Sequence, residues 1–119
     1  MSYIRKRINA FKYAGRGIAH LFRNEAHAKI HLSVMCLVII AGFFFHITPS
    51  EWCAVILCFG GVLSAEGFNT AIEALADKVS PQKDPLIRIA KDVAAGAVLL
   101  FTLAAIAIGL IIFLPHLLP

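Results

Sequence analysis

Two long stretches of the chain carry no charged side chain: the 21 residues between Lys29 and Glu51, and the 27 from Val93 to Pro119. Each is enough for the roughly 20 residues of a membrane-spanning helix. A third run, Trp52 to Ala65, has only 14 uncharged residues, too short to cross about 30 Å of hydrocarbon at about 1.5 Å per residue. It must therefore continue through a row of polar positions, Glu66, Asn69, Glu73 and Asp77, spaced three, four and four residues apart. At roughly 100° per residue these side chains fall within an arc of about 80°, while Ala65, Gly67, Phe68, Ala71, Ile72, Ala74 and Leu75 cover the rest. The pattern predicts a single polar stripe on an otherwise apolar helix. Ahead of the first span, Ile4, Ile8, Phe11, Gly15, Ile18 and Phe22 share one helical face, and Arg5, Lys12, Arg16, His20 and Arg23 another. That alternation predicts an amphipathic helix lying on the membrane surface. The expected architecture is an all-α membrane protein in one domain, 1–119, with a surface helix over about 3–24 and spans over about 29–48, 51–77 and 92–115.

Composition agrees: 60% of residues are hydrophobic and the mean hydropathy is +0.82, above the apolar share of an ordinary soluble domain. Residues 2–24 lack the continuous apolar core of a signal peptide. All 11 basic residues precede the first span or lie between the second and third, so the positive-inside rule places the N-terminus and the 78–91 segment in the cytoplasm and the C-terminus outside. The expected location is a bacterial inner membrane. The formal charge of +4 follows from this topology and requires no nucleic acid. Counting from Trp52, a candidate interfacial anchor, Glu66 lies roughly 21 Å along the helix, Glu73 about 31 Å and Asp77 about 38 Å. The stripe begins inside the hydrocarbon and climbs out of it, which suits a place where a lipid meets a water-soluble reactant.

Ionisable groups at membrane depth are costly and generally functional. The stripe's carboxylates, with Lys91 and Asp92 returning to the same level, are expected to converge into an oxygen-rich site beside one fixed ammonium. Such a site suits Mg²⁺, a hard cation that often arrives with nucleotide phosphates, and Lys91 would meet a phosphate as a point charge. No GxxxxGK[ST] motif occurs, and no GxGxxG motif follows a strand, so any nucleotide must be held by helices. Gly60 and Gly61 are read as helix-packing positions. Cys36, Cys53 and Cys58 show no ligand spacing and read as apolar fillers. His27 and His31 stand four apart, but two ligands alone do not make a metal site. Physical reasoning leaves two classes: the conduction path of a small oligomeric cation transporter or channel, and an enzyme in which Glu66 deprotonates a lipid hydroxyl. A conduction path also needs polar groups in the outer halves of the spans, where residues 32–45 and 100–114 offer only Ser33 and Thr102. Their scarcity favours the enzyme.

The stretch Glu66-Gly-Phe-Asn69-Thr-Ala-Ile-Glu73-Ala-Leu-Ala-Asp77, followed after 13 residues by Lys91-Asp92-Val-Ala-Ala-Gly-Ala-Val-Leu, resembles the paired signature of the prokaryotic diacylglycerol kinase and undecaprenol kinase family. Upstream, Asn24-Glu25-Ala-His-Ala-Lys29-Ile-His31 is similar to that family's segment ahead of span one. The resemblance covers about residues 5 to 110. It implies a homotrimeric integral-membrane lipid kinase, with sites between subunits at the membrane interface, that transfers the γ-phosphate of ATP, bound with Mg²⁺, to a lipid alcohol.

Carried over by position, the resemblance implies that Glu66 is the catalytic base and that Glu25 and Glu73 are divalent-metal carboxylates. It implies that Asn69, Asp77, Lys91 and Asp92 contact nucleotide and phosphate, with Arg7, Arg16 and His31 as further candidate substrate or nucleotide contacts. His31 stands where the diacylglycerol-kinase branch tends to carry a carboxylate, and so resembles the undecaprenol-kinase branch. Asp84 and Pro85 occupy a loop where that family often has a His. Undecaprenol is the expected substrate, with diacylglycerol and a sphingoid base as alternatives.

Overall fold

Local side-chain chemistry sets the ends of each helix in the computed structural model, which describes residues 2–119. Ser2 caps α1 (Tyr3–Asn24) by accepting from the Arg5 amide. A single extended residue, Glu25, then separates α1 from α2 (Ala26–Phe44). Its amide closes the first helix on the Leu21 carbonyl, and its carbonyl opens the second by accepting from the Lys29 amide. The chain therefore turns from surface helix to span at one carboxylate.

Phe44 ends α2 four residues before the expected limit at 48. His46 adopts a left-handed conformation (φ 52°), its amide bonding to Phe43 O while the Ile47 amide reaches back to Gly42 O. These two bonds form a Schellman cap, and the buried Ile47 supplies the apolar contact that accompanies it. Helix α3 (Pro49–Val79) starts on a reciprocal capping box, in which the Thr48 hydroxyl accepts from the Glu51 amide (3.2 Å) and the Glu51 carboxylate from the Thr48 amide (2.9 Å). Helix α4 (Pro85–Leu117) starts on Asp84, whose Oδ1 accepts from the amides of Leu86 and Ile87 at 2.9 and 3.2 Å. Asp84-Pro85 is thus a helix start, with proline at the first position where no amide hydrogen is needed. The helix begins well before residue 92 because Arg88 and Lys91 interrupt hydropathy but not the backbone ladder.

All described elements are helices, and α2, α3 and α4 are each long and apolar enough to cross a membrane. At about 1.5 Å per residue, α2 is about 28 Å long, α3 about 46 Å and α4 about 50 Å. Their apolar side chains face outward along most of their length, among them Leu57, Leu100 and Ile111. That arrangement is stable in lipid and not in water, and identifies a multi-pass membrane protein. The closest packing joins α3 to α4, where the Phe101 ring lies against Gly61 so closely that a β-carbon there would collide with the ring. Gly60 faces open space in the single chain instead, so of the two glycines read as packing positions Gly61 is the one packed within this chain. Near the α2–α3 turn, Ile47, Val55 and Ile112 form a small core covered by Val38, Trp52 and Phe113. Gly42 lets the Trp52 indole lie on α2 there.

Candidate active site

Exposure rises along the row on α3. Glu66 is 3% exposed, Asn69 and Glu73 are half-buried, and Asp77 is 67% exposed. The helix runs toward the α3–α4 turn, and the polar residues nearest that turn are the more open. Each member of the row has its own partner. Glu66 Oε1 meets His31 Nε2 of α2 at 2.9 Å. Asn69 Nδ2 donates to Glu73 Oε1 at 3.1 Å, one turn along the same helix. Lys91 Nζ of α4 donates to Asp77 Oδ1 at 2.6 Å, tying α3 to α4 next to the turn that joins them.

The expected convergence of three or four carboxylates is not found. Among the described residues no three His, Cys, Asp or Glu side chains gather as a ready-made metal site. Helix geometry is the reason: residues four apart are separated by about 6 Å along the axis, so one helix presents its carboxylates as a ladder and not as a cage. Glu25 sits half-buried at the α1–α2 corner and Asp92 is exposed on α4; within this one chain neither is joined to the row by a hydrogen bond or ion pair. Arg7 and Arg16 lie over the rings of Tyr3 and Tyr13, 5.0 and 5.6 Å from their centroids, on the surface helix. His27 is exposed while His31 turns to Glu66, so the two do not form a ligand pair.

One polar atom in the row is orphaned. Asn69 Oδ1 is buried and has no hydrogen-bond partner. The neighbouring carboxylate only accepts, which fixes the amide with its nitrogen toward Glu73. A carbonyl oxygen without a donor, beside a carboxylate, is a donor set that suits a hard cation.

Two spaces flank the row. On the membrane side, a cavity of about 200 Å³ opens between α2, α3 and α4, lined by apolar residues such as Met35, Val62 and Phe113, with His31 on its wall. Thr102 also lines it, its hydroxyl buried without a partner. On the polar side, a basin of about 500 Å³ lies over the 80–84 turn between Asp77, Lys83, Asp84, Arg88 and Lys91. It holds three cations and two carboxylates, a composition fitted to a polyanion. Sequence reasoning placed the row but missed the His31–Glu66 contact, which joins residues 35 apart. The readable signal was depth, since both lie at a similar distance from the α2–α3 turn on antiparallel helices.

A sequence model of the family described as prokaryotic diacylglycerol kinase matches residues 12–113. The chain is 43% identical over 108 residues to undecaprenol kinase of Bacillus subtilis, covering 91% of this chain and 88% of that protein. It is 36% identical over 110 residues to diacylglycerol kinase of Synechocystis, covering 92% of this chain and 63% of that protein. With diacylglycerol kinase of Haemophilus influenzae it shares 29% identity over 91 residues, 76% of this chain and 77% of that one.

Proposed function

The chain belongs to the prokaryotic diacylglycerol kinase family, and from that premise we propose that it is a lipid kinase transferring the γ-phosphate of MgATP to the hydroxyl of a membrane lipid alcohol, undecaprenol first among them. The observation that carries this reading is the graded row on α3. One buried carboxylate stands beside an apolar cavity, and the groups that follow it lead out to a cation-rich basin. A lipid hydroxyl reaches such a row from one end and a nucleotide from the other. Undecaprenol is favoured by the 43% identity to a protein of that name and by His31. Diacylglycerol, from the names of the other relatives, and a sphingoid base are the alternatives.

In this reading Glu66 takes the proton of the lipid hydroxyl, while Lys91, Asp77, Asp92 and Asn69 orient the triphosphate. Phosphoryl transfer depends mainly on in-line positioning and charge neutralisation, which a row of fixed side chains provides. Glu73, beside the orphaned Asn69 Oδ1, and Glu25 would hold Mg²⁺, which supplies charge neutralisation on the phosphoryl oxygens. Two carboxylates suffice when phosphates provide the other oxygens. Glu25 is not joined to Glu73 within one chain, so in this reading a neighbouring copy of a homotrimer completes each site. The distribution of basic residues supports an inner-membrane protein with the basin facing the cytoplasm.

The test is phosphorylation of a lipid panel by the purified chain in nanodiscs with γ-labelled ATP and Mg²⁺. The expected result is label in undecaprenol in preference to diacylglycerol and sphingosine. Preferential labelling of another lipid would reassign the substrate, and no labelled lipid at all would overturn the kinase reading in favour of a conduction path.

A further inference from the structure

His31 approaches Glu66 from a different helix and meets one oxygen only. Nε2 lies 2.9 Å from Oε1, and no described residue donates to Oε2. A carboxylate oxygen accepts and does not donate, so Nε2 carries the proton in this contact, whether the ring is neutral or charged. The imidazole is 22% exposed and Glu66 3%, and the ring also forms part of the wall of the apolar cavity. Three residues earlier on the same face of α2, Ala28 is fully buried, so this face of the helix is a packed one. The contact is therefore built into the packing of α2.

Resting on the assignment of Glu66 as base, we infer that His31 is a positioning residue for the transfer. Its Nε2–H clamps Oε1, so that Oε2 alone faces the lipid hydroxyl in one orientation. The hydroxyl proton passes to Oε2 as the lipid oxygen bonds to the γ-phosphorus, the bond from that phosphorus to the bridging oxygen breaks, and ADP leaves. His31 gains and loses nothing in this step; it determines where the base points. Misplacing a reacting group by about 1 Å costs on the order of a hundredfold, and outer partners of functional groups commonly contribute tenfold to hundredfold.

The experiment compares the wild-type chain, His31→Ala, His31→Gln and Glu66→Gln in nanodiscs containing undecaprenol, by steady-state kinetics with MgATP. Thermal unfolding of each variant serves as the control for folding. The expected result is a kcat lowered about tenfold to hundredfold in His31→Ala, with both KM values within about twofold of wild type. In His31→Gln, whose amide nitrogen can occupy the place of Nε2, most of kcat returns. In ¹⁵N-histidine-labelled protein, the His31 Nε2–H signal is held in one state in wild type and exchanges between tautomers in Glu66→Gln. The inference is overturned if His31→Ala keeps wild-type kcat, if it raises the lipid KM alone as a substrate contact would, or if a folded His31→Gln is as impaired as His31→Ala. A Glu66→Gln variant with full turnover would sink the base assignment itself, an outcome visible apart from any result at His31.

Discussion

A carboxylate almost closed off between apolar helices needs a partner to persist there, and Glu66 has one in His31. Replacing it with Gln keeps the shape and removes the base, so Glu66→Gln is expected to lower kcat by about 10²- to 10⁴-fold while MgATP binding, followed by equilibrium titration, stays nearly unchanged. Glu73→Gln acts at the other side of the row. It is expected to raise the KM for MgATP while leaving the lipid KM alone, and steady-state kinetics with each substrate varied in turn separates the two. At His46 the left-handed backbone costs an ordinary side chain roughly 1 kcal/mol that glycine avoids. His46→Gly should therefore stabilise the α2–α3 turn by about that amount, read from reversible unfolding in mixed micelles. The polar residues of the row were legible from sequence because one helix carries them all at a fixed spacing. Lys91 was legible as the ammonium beside the row, but its pairing with Asp77 in particular, and that of Glu66 with His31, were not, because each depends on how two helices meet.

The α3–α4 hairpin rests on contact between a ring and a bare backbone. Any side chain at residue 61 meets Phe101, whereas residue 60 faces open space. Gly61→Ala should destabilise by about 1–3 kcal/mol through overpacking, and Gly60→Ala in the same assay should be near neutral. Equal effects at the two positions would show that Phe101 does not define the seam. The existence and order of the helices were readable from the uncharged runs. Their ends were less so, because hydropathy reports where lipid is and hydrogen bonds report where a helix stops. Asp84-Pro85 and the Schellman cap at His46 are local chemistry that charge counting passes over, and the one-residue corner at Glu25 leaves no trace in composition.

Across the whole molecule, most apolar side chains of the spans remain uncovered by the chain's own packing, and only lipid or further copies can cover them. A groove of about 850 Å³ between α1 and α3, edged by Gly17, Gly60 and Gly67, is part of that surface. If the basic residues orient the chain as proposed, an amine reagent that cannot cross membranes should label Lys83 in inverted vesicles and not in sealed right-side-out ones; mass spectrometry of the 79–88 peptide reads the difference. The unequal lengths of the spans bear on how the molecule responds to its surroundings. Helix α2 matches a typical hydrocarbon layer at about 28 Å, while α3 overshoots it at about 46 Å, so the reactive ladder is registered against the headgroups through the short helix and the surface helix α1 that leads into it. A thicker or thinner sheet of lipid would slide Glu66 relative to the plane where alcohol groups gather, and turnover should peak at one acyl-chain length and decline on either side. In such a protein the membrane acts as a ruler for catalysis.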